Sequence, residues 1–289
     1  MVVELKTEPF LEGLRLPEGL RWRHGKLWFT DIIGKRVYTA DAAGNKHLLM
    51  AFEDDSPSGL GFLEDGSLVV SMMWTRELRR IDAGGNCTVH ADFKHLPGDR
   101  LNDMVMDGQF RAYIDNNARP RERTGPDDDR DLGDSLIMLD AQGNSRIVAS
   151  GGIIMPNGIA MTADMKTLIL AEVFARRLTA FTIADDGSLV DRRLFASTGR
   201  ATPDGICLDA EGAVWLSSPH SRECIRILEG GKVTHRISYP VWSVCPRLGG
   251  PDGRTLFVAT TTGGDMKTFR ETTQGRIETV TVDVPGAGW

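Results

Sequence analysis

Apolar positions in this chain come in short runs that stop at Gly, Asp or Asn, and the same arrangement returns six times. The runs begin at HGKLWFTD (His24 to Asp31), DGSLVVSM (Asp65 to Met72), DGQFRAYI (Asp107 to Ile114), ADMKTLILAE (Ala163 to Glu172), EGAVWLSS (Glu211 to Ser218) and DGRTLFVAT (Asp252 to Thr260). Partner runs such as KRVYTADAAGN, ELRRIDAGGN and SLIMLDAQGN lead into Gly turns. Rich in Val, Ile, Leu, Thr, Phe and Trp, and mostly too short for helices, these runs read as strands paired by tight turns. The amphipathic helical stretches that a doubly wound fold needs between strands are missing. Six units in 289 residues give about 48 residues each, the size of a four-stranded propeller blade. The pattern therefore predicts an all-β, six-bladed β-propeller with four-stranded blades, a single domain over residues 1–289. The N-terminal VVELK is expected to add a strand to the last blade and close the ring.

Composition narrows the function classes. Lys plus Arg number 34 against 40 Asp plus Glu, a formal charge of −6, so no global basic field exists to hold a phosphate backbone and no nucleic-acid partner is expected. With 41% hydrophobic and 26% charged residues the chain has the apolar mass for a sizeable core. No apolar stretch approaches the ~18 residues of a membrane helix, and the opening MVVELKTE reads as neither secretory signal nor lipidation site. The four cysteines, Cys87, Cys207, Cys224 and Cys245, form no Cys-x-x-Cys pair, which fits a reduced, cytoplasmic protein. In that setting the sequon at Asn86 has no use. Cys207 and Cys245 are expected to be buried as small apolar groups.

A second repeated element precedes each strand pair. It reads LPEGL at Leu16 to Leu20, SPSGL at Ser56 to Leu60, RLNDM at Arg100 to Met104, MPNGI at Met155 to Ile159 and TPDGI at Thr202 to Ile206. Pro fixes φ and Gly permits a tight turn or a close approach, so the residue between them sits on a constrained bend. Taken singly, each is ordinary turn chemistry. In a propeller, however, corresponding positions of successive blades are related by rotation about the channel, so Glu18, Ser58, Asn102, Asn157 and Asp204 are predicted to converge. Two carboxylates and two carboxamides are hard oxygen donors, suited to Ca²⁺ most, with Mg²⁺ or Mn²⁺ also accommodated; no His or Cys joins them to favour Zn²⁺, though that ion stays open. Glu18 and Asp204 together balance one divalent charge.

At these residues the sequence resembles the senescence-marker-protein/gluconolactonase/luciferin-regenerating-enzyme family of regucalcin-like lactonases. The motifs PEGLRW (Pro17 to Trp22), RLNDMVMDGQ (Arg100 to Gln109), MPNGIAMTAD (Met155 to Asp164) and TPDGICLDAEGAVW (Thr202 to Trp215) carry the resemblance, which spans essentially the whole chain. It implies a six-bladed propeller with one divalent metal in the channel, held by Glu18, Asn102, Asn157 and Asp204. It further implies that Arg100 helps bind substrate, and that Asp204 transfers a proton as well as ligating. The implied activity is hydrolysis of a small-molecule lactone. Arg100 has an alternative as the salt-bridge partner of Asp99 or Asp103. Where sugar-lactonase members carry a Gly-Thr-Met-like segment, this chain has AYIDNNA (Ala112 to Ala118), which leaves the lactone unspecified; Asn116 is placed either in the substrate pocket or as a turn cap. His220 is a substrate-pocket candidate or a surface loop residue.

No His-Glu-x-x-His or Gly-x-Ser-x-Gly element supports a zinc protease or serine hydrolase. The rival enzyme readings keep the metal but act on phosphoester or phosphofluoridate bonds, or without hydrolysis; the rival from another class is a non-catalytic calcium-binding regulatory propeller. Residues 118–134 form an insertion, since Asn102 and Asn157 lie 55 positions apart while Glu18 and Ser58 lie 40 apart. Its aspartates Asp127, Asp128 and Asp129 lack the spacing of a calcium loop, and the segment is expected to be a solvated loop covering the channel mouth.

Overall fold

The structure, a computed structural model, describes residues 1–263, 271 and 273–288. Its strands form six sheets around a channel. Blade 1 consists, from the axis outward, of Pro17–Arg23, Lys26–Asp31, Arg36–Asp41 and Lys46–Ala51. Blades 2, 3, 4 and 5 repeat this order, with inner strands Pro57–Phe62, Arg100–Met106, Pro156–Met161 and Ile206–Leu208. Blade 6 takes Trp242–Gly249, Thr255–Thr261 and Gly275–Thr281 from the end of the chain and its outermost strand, Glu8–Leu14, from the beginning. Strands from both ends of the sequence thus share one sheet and close the ring.

The expected N-terminal closure is therefore made by a different segment. Glu8–Leu14 takes the outer place of the last blade, and the VVELK segment moves to the neighbouring sheet. There Val3–Leu5 pairs in parallel with Val233–Ser238 as a fifth strand of blade 5. The outer edge of that blade was the nearest free row of backbone donors and acceptors, which the extra strand covers.

Apolar alternation along each strand produces six hydrophobic clusters, one at every blade–blade interface. Between blades 6 and 1, for example, Phe257, Ile277 and Val244 pack on Leu20, Leu27 and Phe29; between blades 4 and 5, Ile169 and Leu178 meet Val214, Leu216 and Ile225. Each large side chain buried this way contributes about 1.5–3 kcal/mol relative to exposure. The DAAGN, DAGGN and DAQGN turns are stapled alike: Asp41, Asp82 and Asp140 each accept from the Asn four residues on, at 2.8, 2.9 and 2.9 Å.

The inner strands carry the recurring motif, and at each motif the ladder is interrupted. Register breaks fall between Glu18 and Arg21, Pro57 and Leu60, Leu101 and Met104, and Pro156 and Ile159. A bulge re-aims side chains at that point. The motif glycine is explained by close approach: a Cβ on Gly19 would stand 2.3 Å from the carbonyl oxygen of Ser58, and one on Gly158 2.4 Å from that of Asp204. Neighbouring inner strands touch through these glycines, as in the bond from Gly158 N–H to Asp204 O at 3.1 Å. In blade 3 the place is taken by Asp103, which becomes important below.

Candidate active site at one mouth of the channel

The motif ends of the inner strands gather the polar groups. The Glu18 carboxyl is held well above the usual carboxylate range, first by burial and then by the charges of Asp204 and Asp103. Asp204 is pushed up to about 8 by burial, with Arg100 acting in the opposite direction and Asp103 and Asp115 adding to the rise. The charge of Asp204 in blade 5 is thus felt at Glu18 in blade 1. Ser58 donates through Oγ to Oδ1 of Asn102 at 2.7 Å, joining blades 2 and 3. Asn157 sits between Pro156, whose carbonyl accepts from Asn117 at 3.2 Å, and Gly158, bonded to the backbone of Asp204.

Arg100 forms no ion pair with Asp99 or Asp103 among the described residues. Asp103 is instead engaged by Arg21, Nη2 to Oδ1 at 3.0 Å. Arg100 gives Nη2 to Oδ1 of Asn117 at 3.2 Å, while its Nε is buried without a partner among the described residues. Its guanidinium lies 5.9 Å from the centre of the Trp74 ring. Burial lowers its pKa, with the charges of Asp115 and Asp204 acting in the opposite direction. The fork therefore keeps donors for a ligand's oxygens.

Asn116 is not among the groups brought together here. It is fully buried on the other face of its strand, donating to Pro97 O and Ser135 Oγ at 2.8 Å each and accepting from Arg76 at 3.2 Å. The residues of AYIDNNA beside Arg100 are Asp115 and Asn117: Asn117 is the cross-strand partner of Arg100, and Asp115 Oδ2 accepts from Asp103 N–H at 3.0 Å. Strand alternation, one residue to either side, is the signal that would have found them. Asp115 is completely buried and held well above the carboxylate range by burial and then by Asp103.

His220 is at this mouth. Its Nδ1 lies 3.0 Å from Thr202 Oγ1, two residues before Asp204, and its ring is 6.3 Å from Phe174 and 6.0 Å from Trp242. Burial, then the charge of Arg176, lowers its pKa, favouring the neutral imidazole. The insertion reaches across from blade 3 to both neighbours: Arg121 covers Trp74 at 4.6 Å, and Asp127 pairs with Arg176 at 2.5 Å. Its root is fixed by buried Arg123, which pairs with Asp134 at 2.6 Å; Asp134 also accepts from Ala118 and Met155 N–H. Asp128 is committed to Thr124 and Arg130. Cys207 and Cys245 are buried, as expected.

No cluster of three or more His, Cys, Asp or Glu able to hold a metal occurs among the described residues. The motif positions Glu18, Asn102, Asn157 and Asp204 carry another composition, two carboxylates and two carboxamides. Glu18 and Asp204 make no ion pair among the described residues, and burial is the first cause that holds each carboxyl above its ordinary range. This donor chemistry fits one hard divalent cation.

A ring of six blades with oxygen donors and an unpaired guanidinium at one mouth defines a class of channel-site propellers. Residues 16–262 match the SMP-30/Gluconolactonase/LRE-like region, and the chain belongs to that family. It is 28% identical over 257 residues to the pentonolactonase XacC of Haloferax volcanii, covering 87% of this chain and 83% of that one. It is 26% identical over 266 residues to regucalcin of Xenopus laevis, covering 88% and 85%. A solved luciferin-regenerating enzyme superposes with a TM-score of 0.79 at 21% identity, covering 96% of this chain and 97% of that one. None of the described helices is long and apolar enough to cross a membrane.

Proposed function

We propose that the protein is a cytoplasmic, single-domain hydrolase that opens a small lactone with the help of one divalent cation, Ca²⁺ by preference. One observation carries the reading: two partly buried carboxylates that form no ion pair among the described residues, Glu18 and Asp204, share a channel mouth with Arg100, whose charge acts on Asp204 and whose Nε has no partner among the described residues. The family and the pentonolactonase relative supply the reaction class.

Glu18, Asn102, Asn157 and Asp204 would hold the cation. A bound divalent cation polarises an ester carbonyl and acidifies water. The chain's own residues do the rest. Arg100 binds and orients the lactone through oxygens that its fork can reach. Asp204 accepts the proton of the attacking water at a carboxylate oxygen and returns it to the departing ring alkoxide, so that one water is consumed and a hydroxy acid is released. Burial keeps that carboxyl basic enough for the task. Arg121 and Arg100 both lie over the Trp74 ring, so the insertion would cover the entry beside Arg100.

A pH-stat screen of sugar and aliphatic lactones with Ca²⁺, Mg²⁺, Mn²⁺ or Zn²⁺, with and without chelator, tests this. Turnover that chelator abolishes and Asp204→Ala removes without unfolding supports the reading. Activity on phosphoesters alone points to the rival chemistry, and cation binding without turnover on any ester points to a regulatory propeller.

A further inference from the structure

At the opposite end of the channel the last residues of the six inner strands surround a second cavity of about 530 Å³. Nothing in the proposed reaction uses it. The volume falls in the range of small-molecule sites. Its wall is mainly apolar, with Phe62, Met106, Ile159, Met161 and Leu248 facing one another across the channel.

Three arginines also line it, Arg21, Arg23 and Arg247, and they are partnered unequally. Arg23 donates through Nε to His24 Nε2 at 3.1 Å and lies over the Phe62 ring at 4.5 Å. Arg21 is saturated: Nη2 pairs with Asp103 at 3.0 Å and Nη1 donates to Leu20 O at 2.9 Å. Arg247 makes no ion pair among the described residues, and its Nε and Nη2 are buried without a hydrogen-bond partner there. A buried donor left without an acceptor is costly, more so when it is charged. Burial, followed by the charge of Arg21, pushes the Arg247 pKa down to about 10, still high enough to keep it cationic at neutral pH. The remaining acid on this wall, Asp107, is consumed by Arg111 at 2.6 Å. Arg247 therefore sets buried, unpartnered cationic donors against an apolar cup.

We infer that this cavity is a binding site for a small monoanion with an apolar body, a carboxylate whose oxygens take the free donors of Arg247 and whose hydrocarbon part packs on Met106, Met161 and Phe62. A guanidinium fork matches a carboxylate's two oxygens. The site stands apart from the lactone mouth and does not depend on that reading.

Calorimetric titration of the full chain in the presence of Ca²⁺, with octanoate and with octanol, tests the inference. Octanoate is expected to bind at least tenfold more tightly than octanol; Arg247→Met and Arg247→Gln should each weaken octanoate at least tenfold and leave octanol unchanged. Arg100→Met should leave octanoate affinity as it is, because Arg100 is at the other mouth. On the unsubstituted protein, octanoate should shift the methyl signals of Met106 and Met161, which keeps the test open if the Arg247 variants do not fold. Equal affinity for octanoate and octanol, no binding of octanoate, unmoved methyl signals, or loss of octanoate binding in Arg100→Met but not Arg247→Met would each overturn it.

Discussion

Arg21 in blade 1 reaches across the channel to Asp103 in blade 3, and the pair divides the channel into two ends of different character. On one side lie Glu18, Asn102, Asp204 and Arg100; on the other, the apolar cup with Arg247. Both partners are largely shielded, 14% and 13% exposed. Replacing Asp103 by Ala strands the arginine. Full burial would make that cost about 3–5 kcal/mol; with this residual exposure we expect about 1–3 kcal/mol in urea unfolding. An unchanged unfolding midpoint would show the pair to be energetically idle.

Asp204 titrates near 8 when folded, against an ordinary 3.8. Between those values the folded chain keeps a proton that the unfolded chain has released, so the stability of the cation-free protein falls as pH rises from about 4 to about 8. A cation at Asp204 competes with that proton and binds more tightly as pH rises through the same window. The gap in Tm with and without saturating Ca²⁺ should therefore widen from about pH 6 to about pH 8. A flat or narrowing gap would remove Asp204 as the point of competition.

Asn116 and Asn117 are adjacent in sequence and separate in role. Asn116→Ala leaves Pro97 O, Ser135 and Arg76 short of a partner inside the fold, and should cost about 1–3 kcal/mol of stability with KM unchanged. Asn117→Ala releases the Arg100 fork and should raise KM for a lactone about tenfold. Thermal melts and Michaelis curves on the two variants separate the effects; a KM change in Asn116→Ala alone would reverse the assignment.

Gly158 has no need of a left-handed backbone, so its substitution isolates the cost of close approach. A Cβ there meets Asp204 O at 2.4 Å and Ile206 N at 2.7 Å. Gly158→Ala should destabilise by about 1–3 kcal/mol and displace Asp204, lowering turnover along with Tm. Full activity and an unshifted Tm would mean that the neighbouring strand moves aside freely.

The insertion is anchored at Arg123 and presents Arg121. Arg121→Ala should leave the unfolding free energy within about 1 kcal/mol of the parent while changing the ratio of kcat/KM between a sugar lactone and an aliphatic one. Arg123→Ala breaks a buried pair and should cost about 3–5 kcal/mol. An unaltered substrate ratio in Arg121→Ala would take the loop out of selectivity.

The blades were legible because strand period, turn chemistry and repeat length are local, and Asp41, Asp82 and Asp140 make the same turn wherever their pentapeptide recurs. Repetition also exposed Glu18, Ser58, Asn102 and Asp204, since a rotation axis turns equal sequence positions into neighbours. Asp103 was harder to see: it occupies a place that elsewhere demands glycine, and only the structure reveals that Arg21 of another blade receives its carboxylate. The choice of Asn116 over Asp115 and Asn117 depended on which face of a strand meets the channel, a matter of sheet packing rather than of sequence order.

By itself, then, the sequence determined the number of blades and the oxygen donors at the motif positions, because both follow from what each short segment does on its own. Tertiary structure decided which N-terminal strand closes the ring, which arginine is left without a carboxylate, and that the channel has a second, apolar end. Those outcomes depend on groups far apart in the chain competing for the same partners, and that competition is settled only when the ring is assembled.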